Sequence, residues 1–235
     1  MNNNKIMLEM WKNISNSYWN AKDLEEKQRI LLSEFLQNKK WIVLELGCWN
    51  WKILDKLSKN NKNLNLNWLD YSIDMINYAK SKFSWITFIN WNILDVEKIF
   101  WEKKFDIVYS VNTLHNLPNK KLIYTTFEKM IFLTKKGWYI IFDIRNSFNP
   151  FIFYWYLKNR NKWLSFWSLN IFSVINFFKK YNIEVIYNKG IYYENIEDSL
   201  FKNNNVFLRY IYSFYLKVTR FRIFSQYIFL ILRKK

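Results

Sequence analysis

Ten residues, Val43-Leu-Glu-Leu-Gly47-Cys-Trp49-Asn-Trp51-Lys52, join a short apolar run to the start of a helical pattern. A strand, a tight loop and a helix start together make a ligand-binding device. The loop backbone can approach the ligand, and the positive helix N-terminus suits an anionic group such as a carboxylate. Glycine belongs in such a loop, because the turn is tight and close approach leaves no space for a side chain. Glu45 stands in the run that leads into Gly47. Asp70 lies 19 residues beyond Trp51, at the end of a second apolar run. An acid at that place can grip ribose hydroxyls; the other reading is a helix-capping aspartate. Asn92 closes a third run, and His115, the one histidine, sits in the loop after a fourth. His115 is a candidate general base, or else holds its loop by hydrogen bonds. Tyr18, in an N-terminal helical stretch, can close over a ligand or simply pack. Cys48 reads as a small apolar filler. No His/Cys cluster marks a metal site.

These residues need a scaffold, and the pattern supplies one. Residues 5–38 read as helical. Trp41 to Leu46 reads as a strand, Lys52 to Leu57 as a helix start, and about 65–69 as a second strand. Ser72 is a good N-cap, with Asp74 in the first turn and Ile76, Ala79 and Phe83 as an apolar stripe. Ile86–Ile89 and Phe105–Tyr109 are further strands, about 119–133 a helix after Pro118, and Tyr139–Asp143 a fifth strand. Short apolar strands alternating with helices predict a parallel sheet covered on both faces. A helix near 170–180, a strand near 183–187, an amphipathic helix over 205–222 and a final strand over 226–232 complete the chain. Residues 147–169 between them are aromatic and irregular. No internal repeat and no dividing linker is evident, so one domain over 1–235 is expected: a core at 38–145, a substrate-side elaboration at 146–225, and the last strand at 226–235.

Composition narrows the class. Half of the residues are apolar, enough for a large core, and one cysteine cannot make an internal disulfide. The N-terminal residues lack a signal-peptide apolar run, and no stretch approaches the roughly 20 apolar residues of a membrane span. A cytoplasmic protein is expected, with contact at the inner face of the membrane as an option. The net charge of +17 suits a nucleic acid or an anionic membrane. Drift in an AT-rich genome is the favoured explanation, since Lys, Asn, Ile, Phe and Tyr are abundant and the lysines are scattered.

Spacing then separates two nucleotide-type loops. A dinucleotide pattern, G-x-G-x-x-G, would need glycine at 52, where Lys52 stands. With Trp49 and Trp51 taken as glycine, the loop becomes E-L-G-C-G-N-G-K. That resembles the first motif of the class I methyltransferases, E/D-x-G-x-G-x-G. The resemblance covers about residues 38–145 well. It implies a Rossmann-like, doubly wound α/β sheet of seven strands, mostly parallel, with an antiparallel last strand beside strand five. It also implies S-adenosylmethionine (SAM) as cofactor. Glu45, Gly47, Cys48, Trp49, Asn50 and Trp51 would meet its methionine end, and Asp70 its ribose. Met75 could line the adenine pocket, or be a core methionine. Asn92 stands where the family commonly has an aspartate for the adenine amino group; its amide oxygen can still accept. Tyr71, Ile93, Ser110 and Val111 flank these positions and complete the expected cofactor contacts. Ser110 to Leu117 resembles the family loop ending Leu-His-His-Leu, with Asn116 in place of the second histidine.

The tryptophans fall at odd places. There are 3 glycines and 13 tryptophans, and an average glycine usage of about 7% predicts roughly the two counts together. Trp49 and Trp51 occupy motif glycines. Trp41, Trp68, Trp91 and Trp138 occupy turns or strand ends where relatives often have glycine. Some bacteria read UGA as glycine, whereas other codes read it as tryptophan, and translating a gene of the first kind with the second code gives this pattern. The competing readings are a genuinely Trp-rich chain that has lost SAM binding, or deliberate substitution.

Within the resemblance, small-molecule enzymes fit best, so the expected partner is a small-molecule or lipid-like acceptor. The alternatives are a non-catalytic module that binds a membrane surface or RNA, and an RNA methyltransferase. No RNA-binding motif is added, and no obligate protein partner is evident. The basic stripe of helix 205–222 and the aromatic stretch 151–157 could rest on an anionic bilayer, or belong to a helix packed on the sheet in the ordinary way.

Overall fold

The computed structural model describes residues 26–47, 52–61, 63–102, 104–150, 152–153, 167–191, 214, 217 and 222–235. In chain order these give α1 (Glu26–Leu36), β1 (Ile42–Leu46), α2 (Lys52–Asn60), β2 (Asn65–Asp70), α3 (Ile73–Lys82) and β3 (Thr87–Asn90). A 3-10 turn at Ile93–Asp95, α4 (Glu97–Phe100), β4 (Phe105–Ser110) and a second 3-10 turn at Leu114–Asn116 follow. The remainder is α5 (Lys120–Leu133), β5 (Thr134–Arg145), α6 (Ile171–Lys180), β6 (Ile183–Ile191), a 3-10 turn at Arg222–Phe224 and β7 (Tyr227–Lys234).

The seven strands form one sheet in the order β3-β2-β1-β4-β5-β7-β6. β1 lies parallel to both β2 and β4, and β7 is inserted antiparallel between β5 and β6. The predicted Rossmann-like class, the central place of β1 and the antiparallel last strand are all present. Alternation along the strands sorts side chains between two cores. Leu44, Leu46, Val108, Ile140 and Phe142 pack on one face with Phe127 and Met130 of α5 and Val174 and Phe178 of α6. Val43, Ile107, Tyr109 and Ile141 pack on the other with Leu32 and Leu36 of α1, Ile53 and Leu57 of α2, and Ile76 and Ala79 of α3. Burial on both faces is why these strands read as nearly continuous apolar runs.

Local chemistry sets the helix ends. The Ser72 hydroxyl accepts from the Met75 N–H, as predicted for α3. Asn119 and Asn170 cap α5 and α6 in the same way, through Leu122 and Phe172. Asparagine also does work usually left to glycine. Asn38, after α1, Asn112, after β4, and Asn182, after α6, are the non-glycine residues with positive φ among those described. Asparagine tolerates the left-handed region better than other side chains do.

Several boundaries differ from the sequence reading. β5 starts at Thr134, not Tyr139, because its register to β4 jumps between Phe105/Thr134 and Ile107/Tyr139. The extra residues bulge out at Lys135–Trp138, and Gly137 supplies φ +85 there. β6 runs on to Ile191, carried by its pairing with β7. Of the predicted helix 5–38, residues 26–38 are described, helical over Glu26–Leu36 and turning at Gln37 and Asn38, and helix 205–222 lies outside the described residues except Phe214, Lys217 and Arg222. Phe214, one of these, is exposed.

Candidate functional site

The carboxyl ends of β1 and β4 lie side by side at the middle of the sheet, with β2 beyond β1 and β3 at the edge, so the strand order reverses between β1 and β4. A strand-order reversal of this kind opens a crevice for a ligand. Most of the predicted cofactor residues that the structure describes gather at these strand ends. Cys48, Trp49, Asn50, Trp51 and Tyr18 lie outside the described residues.

Gly47 ends β1 in the left-handed region, at φ +79. Its N–H donates to the Leu69 carbonyl at 2.9 Å, and its own carbonyl accepts from the Thr113 hydroxyl at 2.6 Å. A Cβ placed there would lie 2.1 Å from Thr113 Cγ2. This position therefore demands glycine on two counts, conformation and space. Glu45, buried in β1, accepts from the Tyr109 hydroxyl at 2.8 Å. Ser110, fully buried, donates to the Leu46 carbonyl at 2.8 Å. Glu45 and Ser110 thus join β1 to β4 just below the turn.

Asp70 is the last residue of β2, and its carboxylate accepts from the Ser72 N–H at 2.7 Å. That is an Asx turn ahead of the Ser72 N-cap rather than a cap of α3 itself, and it leaves acceptor sites for a ligand, because a carboxylate offers about four. Asn90 Nδ2 donates to the carbonyls of Asp70 and Tyr71 at 3.0 and 2.9 Å, which fixes the direction of the strand end. Met75 is buried in the first turn of α3. Asn92 is also buried, and its amide oxygen already accepts from the Leu94 N–H at 2.9 Å, capping the 3-10 turn that holds Ile93. Ile93 and Val111 add buried apolar surface.

The loop after β4 departs from ordinary backbone. Asn112 takes φ +58, and its N–H donates to Asp143 Oδ1 at 2.7 Å. Asp143, in β5, is completely buried; burial pushes its carboxyl up to about 6, against the hydrogen bonds from Asn112 and Gln28 and the charge of Arg145. His115 is buried in the second 3-10 turn, its ring 5.8 Å from that of Tyr227. Burial, and then the Arg145 charge, hold its pKa well below the usual imidazole range. It is therefore neutral at pH 7 and a weak base. Among the described residues, neither His115 Nδ1 nor Asn112 Nδ2 has a hydrogen-bond partner.

Thr113, Asn112, Asp143 and Asn90 were not singled out by the sequence. Asp143 left one trace, a carboxylate at the end of Tyr139-Ile-Ile-Phe, which was read only as a strand end. The tryptophans are more ordinary than their sequence positions suggested. Trp41, Trp68, Trp91 and Trp138 all have negative φ, so backbone conformation does not require glycine at these four. Trp41 and Trp138 meet edge to face at 5.3 Å. Trp91 is part-exposed and donates from its indole to the Asp95 carbonyl. Trp68 is fully buried against Phe88, yet among the described residues its indole N–H finds no acceptor, which is unusual for a buried tryptophan.

Comparison with known proteins follows the same lines. The family described as "Methyltransferase domain" matches residues 37–205. A malonyl-[acyl-carrier protein] O-methyltransferase 2 from Ilyobacter polytropus is 31% identical over 101 residues, covering 43% of this chain and 38% of that relative. The chain therefore aligns with well under half of that relative's length. Among solved structures, the N-methyltransferase NodS from Bradyrhizobium japonicum, in complex with S-adenosyl-L-homocysteine, superposes with a TM-score of 0.64 at 14% identity, covering 100% of this chain and 99% of that one. The CcbJ methyltransferase from Streptomyces caelestis gives 0.64 at 11% identity, covering 94% and 96%. At such identities the likeness establishes the fold.

Proposed function

The chain belongs to the methyltransferase-domain family and is a SAM-dependent methyltransferase of class I fold, and on that premise we propose that it methylates a small-molecule or lipid-like acceptor at the carboxyl ends of β1, β2, β3 and β4. The observation that carries the site is the Gly47 turn, left-handed, closed to any side chain and placed beside Asp70. The malonyl-[acyl-carrier protein] O-methyltransferase named above supports an acceptor on an acyl chain.

The described residues fit SAM by their chemistry. Gly47 presents backbone at the methionine end. Asp70 offers carboxylate acceptor sites to the ribose hydroxyls, with Tyr71 beside it. Met75, Ile93 and Val111 offer apolar surface to the adenine, and Asn92 polar atoms at its edge. When bound, the cofactor supplies an already activated methyl group on a sulfonium, so much of the chain's task is to position the acceptor in line and exclude water. His115 suits this task as a neutral hydrogen-bonding group better than as a proton acceptor, given its low basicity. Replacement of His115 by Asn is therefore expected to raise KM for the acceptor more than it lowers kcat. A collapse of kcat alone, with a pH dependence removed, would assign it to proton transfer instead.

The same reading extends to Trp49 and Trp51, which we take to be glycines in the natural chain, read here as tryptophan. The support is their spacing from Gly47 and the shortage of glycine. Two indoles beside Gly47 would fill the space a methionine carboxylate needs. UGG codons at positions 49 and 51 of the gene would remove this reading.

A further inference from the structure

The loop after β4 is held from two directions, and the contacts run on to the Gly47 turn. Asp143 in β5 accepts the Asn112 N–H at 2.7 Å. The next residue, Thr113, donates its hydroxyl to the Gly47 carbonyl at 2.6 Å. From the other side, Gln28 of α1 reaches Asp143 Oδ2 at 3.5 Å. One buried carboxylate thus touches the first described helix and the turn after β4, and that turn touches the end of β1.

We propose that Asp143 and Thr113 are positioning residues for the cofactor: Asp143 fixes the left-handed turn at Asn112, and that turn holds Thr113 against Gly47. This rests on the assignment of the Gly47 turn to SAM. Two features argue against a role in packing alone. A fully buried carboxylate is costly to ionise, and here burial outweighs every hydrogen bond and charge that favours the ionised form. An uncharged residue would be more stable in that place. What the charge adds is strength in the acceptor, because hydrogen bonds to ionised groups are roughly twice as strong as neutral ones. That strength is directed at a backbone N–H whose residue sits at φ +58. The second feature is the tight fit of Thr113 Cγ2 and Oγ1 around Gly47, which leaves the turn little freedom to move. The groups facing Asp143 are the Asn112 N–H, the Gln28 amide and the Arg145 guanidinium.

The test uses the full chain in two backgrounds, as written and carrying W49G/W51G, with D143N, T113V and T113S added to each. SAM affinity is read by calorimetric titration and folding by thermal midpoint. D143N is expected to raise the thermal midpoint at neutral pH and yet weaken SAM binding by about fivefold, the difference between a charged and a neutral acceptor. Without D143N, affinity is expected to fall from about pH 8 to about pH 5 as the carboxyl protonates, and with D143N to stay flat. T113V is expected to weaken binding, and T113S, which keeps the hydroxyl, to restore it. A merely structural Asp143 would move stability and affinity together. The inference is overturned if D143N gains stability with affinity and pH profile unchanged, or if T113V binds as T113S does. If neither background binds SAM at all, the cofactor assignment falls first, and this inference with it.

Discussion

Replacing Gly47 by alanine sets two penalties against the fold at once. A side chain in the left-handed region costs roughly 1–2 kcal/mol, and the new Cβ would meet Thr113 Cγ2 at 2.1 Å. G47A is expected to lower the thermal midpoint well beyond the conformational cost, and T113A in the same chain to recover part of the loss. Unfolding curves of the parent chain, G47A and G47A/T113A check this. Asp143 and His115, both buried, act in opposite directions. The folded Asp143 carboxyl, raised to about 6, favours the protonated form. Its stabilising contribution is present at low pH and is lost as pH rises through 6. Measured from the ordinary aspartate value of 3.8, that is on the order of 3 kcal/mol above pH 7. D143N should recover a substantial part of it, as seen in thermal midpoints at pH 7.5. The folded His115 imidazole is depressed, so its contribution is present above about pH 6.5 and is lost as pH falls below that. H115N is expected to flatten that acid limb of the stability profile. Gly47, Asp70 and Asn92 were legible in sequence because each ends an apolar run at a recognisable spacing. Asp143 and Thr113 were not, because their partners lie 31 and 66 residues away in the chain.

At the level of elements, alternation of apolar and helical stretches gave the five parallel strands that lead from β1 to β5, and Ser72 gave the start of α3. Caps and buried strands are local or nearly local signals, which one sequence can carry. The entrance to β5 was misread because Lys135-Lys136-Gly137 has the composition of a turn. In the fold those residues are a bulge within a paired strand, a long-range feature. Gly137 makes a useful contrast with Gly47. Its φ is +85, but nothing lies within 4 Å of an added Cβ. G137A is therefore expected to cost only the backbone term, roughly 1–2 kcal/mol, and to leave SAM affinity unchanged. A G137A loss as large as that of G47A would mean that crowding by Thr113 is not what makes Gly47 special. The six tryptophans also divide at this scale. Trp41, Trp68, Trp91 and Trp138 sit on ordinary backbone, whereas Trp49 and Trp51, which follow Gly47 in sequence, lie outside the described residues.

For the whole molecule, the positive charge of +17 leaves the acceptor's setting open between a dissolved molecule and one held at an anionic surface. No helix among the described residues is long and apolar enough to cross a membrane. Co-sedimentation with anionic vesicles at low salt separates the two settings. Binding that fades as salt is added supports a peripheral contact, and no binding removes it. The acceptor itself was not legible, since substrate contacts are generally carried by loops, which leave no periodic signal in a sequence. The most direct measurement is calorimetric titration of SAM into the W49G/W51G chain and into the same chain carrying D70A. The expected result is micromolar binding in the first and at least about tenfold weaker binding in the second, the loss of a charged hydrogen-bond acceptor. Failure of the W49G/W51G chain to bind, or equal affinity with and without Asp70, contradicts the assignment of the Gly47–Asp70 crevice to the cofactor.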